Sequence, residues 1–166
     1  MINPLRGGPP RGGLRRAVLR APVALYRMGL GGLLGGRMVL LTHTGRVSGQ
    51  PRQVVLEVVE RGREPGSLLI ASGYGGRSQW FRNVLATPRV RYQVGRRRYT
   101  GTAVPLPPEE SGRRLAGYAD RHPRLAARLM KAVGHGPRTA ADYRALGADR
   151  CHGVPLVELR PDTTGH

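Results

Sequence analysis

The chain has 166 residues, enough for one domain with a continuous core and too few for two ordinary domains, so a single ligand site is expected. Its 28 basic and 10 acidic residues give a formal charge of +18, which brings nucleic acid, anionic lipid and polyanionic cofactors into consideration without choosing among them. Aromatic residues, at 5%, are too sparse for the stacking platforms of single-strand binders, the lone Cys151 rules out an internal disulfide framework, and no run of eighteen apolar residues offers a transmembrane helix.

Residues 1–12 are rich in Gly, Pro and Arg and read as a disordered basic tail, ahead of a single domain over 13–160 and a second tail over 161–166. From about 14 to 29, Leu14, Val18, Ala21, Leu25 and Met28 recur at helical spacing beside Arg16, Arg20 and Arg27, which predicts a basic amphipathic helix kinked at Pro22. Arg15-Arg16 superficially matches a twin-arginine export signal, but Arg20, Pro22 and Arg27 interrupt the apolar stretch that such a signal needs. Residues 14–30 are instead expected to rest on the core or to make peripheral contact with the inner face of a membrane, and the protein is expected in the cytoplasm. Gly29 to Gly36 read as a hinge, because Leu34 stands where a dinucleotide-binding fingerprint requires a third Gly or Ala.

Strand patterns follow at Met38 to Thr42, Arg52 to Val59, Leu68 to Ala71, Val90 to Val94 and Arg97 to Val104, with Gly62 to Gly66 and Gly95-Arg96 supplying turn chemistry. Between the third and fourth, Ser78 is placed to cap a short helix that carries Trp80, Asn83, Val84 and Leu85 and stops before Pro88. From Pro107 the period becomes helical: Pro108-Glu109-Glu110 opens one helix, Pro123 to Val133 forms a second and Thr139 to Leu146 a third. A final strand, Val154 to Leu159, returns to the sheet. The pattern is α+β, a small barrel of mostly antiparallel strands with flanking helices.

Two loops carry the chemistry. Thr44-Gly45-Arg46-Val47-Ser48-Gly49-Gln50-Pro51-Arg52 sets two guanidinium groups and a hydroxyl around a turn whose glycines admit close backbone approach, a mixture suited to a phosphate and equally to a plain hairpin. No Gly-Lys-Ser/Thr follows, so it is not a Walker loop. Ala71-Ser72-Gly73-Tyr74-Gly75-Gly76-Arg77-Ser78-Gln79-Trp80 removes side chains where a planar ring would slide in and places Trp80 beyond, either as a ring neighbour or as a core anchor. The histidines, His43, His122, His135, His152 and His166, show no metal-ligand spacing, and no metal is expected. No nucleophile-base-orienter set is legible, which argues against a hydrolase.

Three ordered blocks, Leu40 to Arg52, Ala71-Ser72-Gly73 with Gln79 to Asn83, and Asn83 to Val90, resemble the deazaflavin-dependent nitroreductase family, over about residues 14 to 160. The resemblance implies a split β-barrel of the FMN-binding type that uses reduced coenzyme F420, with FMN the alternative cofactor. It implies that Arg46, Val47, Ser48, Gly49 and Arg52 hold the phosphate and acidic tail, that Ser72, Gly73, Trp80 and Asn83 border the ring, and that Arg77 reaches the same phosphate. It also implies that Tyr143 faces the substrate pocket as proton donor or orienting group, with Ser72 as a second polarising donor and the N-terminal helix as lid. The implied activity is hydride transfer to an electron-poor small molecule such as a quinone, nitro compound or activated enone, by a monomer or homodimer that does not engage nucleic acid. The competing reading is a non-catalytic barrel that holds a flavin, haem or deazaflavin. The chain departs from the family pattern in carrying Val47 in place of a basic residue after the first-motif arginine, Gly73 where Lys is frequent, Glu57 where an aromatic residue is common, and Ala140 in place of an upstream partner of Tyr143.

Overall fold

Alternation decides the barrel. A computed structural model describes residues 37–163, so the readings placed on residues 1–36, including the amphipathic helix, its lid role and membrane contact, lie outside the described residues. Within them six strands form: β1 (Met38–Thr44), β2 (Pro51–Arg61), β3 (Leu68–Ala71), β4 (Arg89–Val94), β5 (Arg97–Pro105) and β6 (Leu156–Pro161). On β1 and β4 every second residue is apolar and buried (Val39, Leu41; Val90, Tyr92, Val94), and these faces turn inward to meet Leu68, Ile70, Ala103, Val157 and Leu159.

Every strand pair is antiparallel, and the order β1-β2-β3-β6-β5-β4 closes on itself through β1 and β4. The chain's last strand therefore sits between β3 and β5. Closure removes exposed edges. Two sequence boundaries are corrected. The final strand begins at Leu156, because Val154 and Pro155 still belong to the approach, where Val154 N–H donates to Leu146 O at 2.7 Å. It also runs into the expected tail: Pro161 pairs with Gly101, and Asp162 N–H donates to Thr100 O at 2.8 Å.

One helix, α1 (Gln79–Ala86), plugs an end of the barrel with Trp80, Phe81 and Val84, the two rings meeting edge to face at 6.0 Å. Ser78 occupies its N-cap position, as expected, but its hydroxyl makes no capping bond. Three further helices, α2 (Pro108–Arg121), α3 (Pro123–Ala132) and α4 (Ala140–Ala148), cover the outside of the barrel through Leu115, Tyr118, Ala126, Met130 and Tyr143, which pack with Val59, Leu69 and Leu156. Proline opens α2 and α3 at the first turn, where a missing N–H costs nothing. Thr139 and Asp142 cap α4 reciprocally, and the backbone N–H groups of Arg138 and Thr139 hold the Asp142 carboxyl below its usual range. Among the described residues no helix is long and apolar enough to cross a membrane, and no group of three or more His, Cys, Asp or Glu could hold a metal ion.

Candidate functional site

The β1–β2 turn is built to be tight. Gly45 N–H donates to Gln50 O and Gly49 N–H to Gly45 O, both at 2.8 Å, and Gly49 takes φ +67°, a conformation that favours glycine. Ser48 Oγ accepts from Gln50 N–H at 3.2 Å, so its own proton is left for a ligand. Val47 projects at the tip, 92% exposed.

Beneath this turn lies a polar chain that ties β1, the turn and α1 together. Asn83 Nδ2 donates to His43 Nδ1 at 3.1 Å, while Asn83 Oδ1 accepts from the Arg46 backbone N–H at 3.1 Å and from the Arg46 guanidinium at 2.9 Å. Only this amide orientation satisfies all three contacts, which makes Nδ1 of His43 the acceptor and leaves its proton on Nε2. Burial, and then the Arg52 guanidinium beside it, lower the His43 pKa to about 4, so the imidazole is neutral at physiological pH.

These groups border an open cleft of about 620 Å³ between the turn and the N-terminal half of α1. Arg46, Val47, Ser48, Arg52, Trp80 and Asn83, all singled out in the sequence, line it together, with Gly49 in the turn that shapes it. Cations, a free hydroxyl and an aromatic edge around one opening suit an anionic group joined to a flat ring.

The second glycine loop lies elsewhere. Ser72, fully buried, donates its hydroxyl to Gly75 O at 3.1 Å, and a Cβ on Gly73 would strike Val133 at 2.5 Å. Arg77 Nε is buried without a partner. None of Ser72, Gly73 or Arg77 lines the cleft. Tyr143 does not line it either. Its ring packs in the helical cluster near Tyr118, and burial raises its pKa.

Sequence reading missed His43 as a site residue, together with Gln53, Val54 and Gln79, which also line the cleft. For His43 a signal existed: it shares the inward parity of Val39 and Leu41, and a polar group on an apolar stripe needs a partner.

A family model described as F420H(2)-dependent quinone reductase matches residues 18–132. An F420H(2)-dependent quinone reductase of Mycobacterium tuberculosis is 33% identical over 102 residues, which make up 56% of this chain and 66% of that protein. The chain thus spans just under two thirds of that relative's length. In fold the chain is similar to an FMN-binding protein related to pyridoxamine 5'-phosphate oxidase from Nostoc punctiforme (TM-score 0.53, 14% identity, 92% of this chain and 82% of that one). It is likewise similar in fold to a protein of unknown function from Agrobacterium tumefaciens (TM-score 0.53, 19% identity, 87% of this chain and 56% of that one). The split-barrel architecture and the motif blocks agree with these matches, and the chain belongs to the F420H(2)-dependent quinone reductase family.

Proposed function

We propose that this chain is an oxidoreductase that binds reduced coenzyme F420 in the cleft under the β1–β2 turn and passes a hydride to a small quinone-class acceptor. The observation that carries the reading is the meeting of Arg46, Ser48 and Arg52 with Trp80 and Asn83 around one opening, in a chain of this family. The donor set fits the group. Arg52 has no carboxylate partner among the described residues, and Arg46 commits only its backbone N–H and one guanidinium nitrogen to Asn83, so both retain donors for phosphate oxygens.

When bound, the reduced deazaflavin supplies the hydride. The chain's own part is positional. Arg46, Ser48 and Arg52 would anchor the anionic end, Asn83 fixes Arg46, and Trp80 would border the ring. Reduction of a quinone to a hydroquinone consumes a hydride and a proton; we assign delivery or orientation at the acceptor oxygen to Tyr143, which stands outside the cleft in the helical cluster, so the role requires an acceptor that reaches from the cleft to that cluster. Ser72 is assigned a positioning role, since its proton is engaged by Gly75 O.

Titration with F420 and with flavin mononucleotide, followed by the fluorescence of Trp80, tests the reading. Saturable quenching by F420 is expected, together with quinone reduction by its reduced form. Tight flavin binding with none of the deazaflavin overturns it in favour of a flavin-holding barrel without activity. Arg52→Ala is expected to weaken F420 binding about tenfold with little change in melting temperature, and unchanged affinity counts against this site.

A further inference from the structure

His43 lines the cleft although it is only 5% exposed, and it arrives there by parity, since Val39, Leu41 and His43 share the inward face of β1. Register sets its first neighbour. His43 stands directly opposite Arg52 in the β1–β2 ladder, so the two side chains share a face, with their Cβ atoms about 5 Å apart. Arg52 also lines the cleft, and its charge joins burial in keeping the imidazole neutral.

The second neighbour is Asn83. Its Nδ2 donates to His43 Nδ1 at 3.1 Å, and its Oδ1 holds the Arg46 guanidinium at 2.9 Å, so one amide ties the imidazole to the other cleft arginine. The two ring nitrogens point to opposite sides of the imidazole, and the Nδ1 contact therefore directs Nε2–H away from Asn83. That N–H meets no acceptor among the described residues. A largely buried side chain with one nitrogen satisfied and the other holding a fixed, unused donor calls for an acceptor from a ligand.

We infer that His43 is a further binding residue of the cleft, its Nε2–H donating to a phosphate oxygen of the cofactor held between Arg46 and Arg52. The inference rests on the F420 reading above, and it adds a donor that comes from the inner face of the barrel and not from the turn. An imidazolium here would set a third positive charge beside two guanidinium groups. The neutral ring instead supplies a hydrogen bond to the anion without repelling Arg52 in the empty cleft. Asn83 sets the direction of the donor before the ligand arrives, so little orientational freedom is lost on binding.

The test titrates three ligands by Trp80 quenching: F420, its phosphorylated deazaflavin core without the acidic tail, and the bare core without phosphate. His43→Phe keeps a ring and removes the donor, and it is expected to lose about five- to tenfold on both phosphorylated ligands and nothing on the bare core. An equal loss on all three makes His43 a shaping residue only, a loss confined to F420 moves the contact to the tail, and no loss anywhere denies it. Each of these overturns the inference while leaving F420 binding in place. Failure of wild type to bind any of the three removes it together with the F420 reading. The variant also strips Asn83 of its acceptor, and Asn83 holds Arg46, so the direct contact is read separately on wild type. In protein with isotope-labelled histidine, the His43 Nε2–H proton is expected to exchange slowly by NMR with either phosphorylated ligand bound and rapidly with the bare core. Rapid exchange in the phosphorylated complexes overturns the inference, whether or not the variant folds.

Discussion

The β1–β2 turn and the loop from Ser72 to Arg77 have nearly the same composition, glycines with a serine and arginine, yet the structure uses them in opposite ways. The first turns its side chains outward: Arg46, Val47, Ser48 and Gly49 are exposed, and the cleft opens beneath them. The second turns its polar groups on itself. Ser72 bonds Gly75, a Cβ on Gly75 would lie 2.8 Å from Cys151 O, and one on Gly76 would lie 3.1 Å from Arg150 O. Glycine in the first loop permits a tight turn above an open cleft, whereas glycine in the second permits chain to pack on chain. Composition marks where backbone comes close to something and does not say to what.

Three substitutions sharpen or break that contrast. The largest effect is expected at Asn83, where the cleft turn meets the core. Asn83→Leu strands His43 Nδ1 and the Arg46 backbone N–H together, which costs about 2–4 kcal/mol in urea unfolding and also loses most F420 affinity in titration. An effect on binding without one on stability breaks the account of Asn83 as a clamp.

Next comes Gly75→Ala, expected to cost about 2 kcal/mol because φ +54° and the approach of Cys151 both oppose a side chain. Binding by the folded protein is expected to stay within about twofold. A large loss of F420 affinity in a variant of normal stability gives the second loop the ligand role that its geometry withholds.

The smallest effect concerns pH. The native state holds His43 neutral down to about pH 4, whereas the unfolded chain takes up its proton near 6.5, so the unfolded state binds more protons in between and stability falls as pH drops through that window. The loss by pH 4.5 is expected to be about 1–2 kcal/mol, since solvent in the cleft moderates the shift. His43→Gln removes it, leaving from pH 6.5 to 4.5 only the slight gain from Glu57, whose carboxyl is pushed up by burial, while the lowered carboxyls of Asp142, Asp149 and Asp162 titrate below that range. An unaltered slope in the variant shows that another group is responsible.

Much of the fold was legible because it is local. Alternation fixed five strands to within a few residues, and proline and the Thr139–Asp142 pair marked the helix starts. The barrel itself was read from the sequence, but its strand order was not, since nothing in Leu156 to Pro161 says that its neighbours are Leu68 to Ala71 and Gly101 to Pro105. At the site, Arg46, Ser48 and Arg52 announce themselves within one turn. The His43–Asn83 contact joins residues forty apart, and only the docking of α1 into the barrel mouth creates it. The same distance problem hid the difference between the two loops, because the atoms that fill the space above Gly73, Gly75 and Gly76 come from Val133 and from residues 150–153.

The insertion of β6 between β3 and β5 bears on how the molecule is made. A ribosome delivers five strands before the sixth, and until Leu156 to Pro161 has cleared the exit tunnel, β3 and β5 each present an unsatisfied ladder of N–H and C=O groups. Barrel assembly is therefore a late, long-range event during synthesis, and the nascent chain passes through a stage at which pairing with a neighbouring polypeptide competes with self-completion.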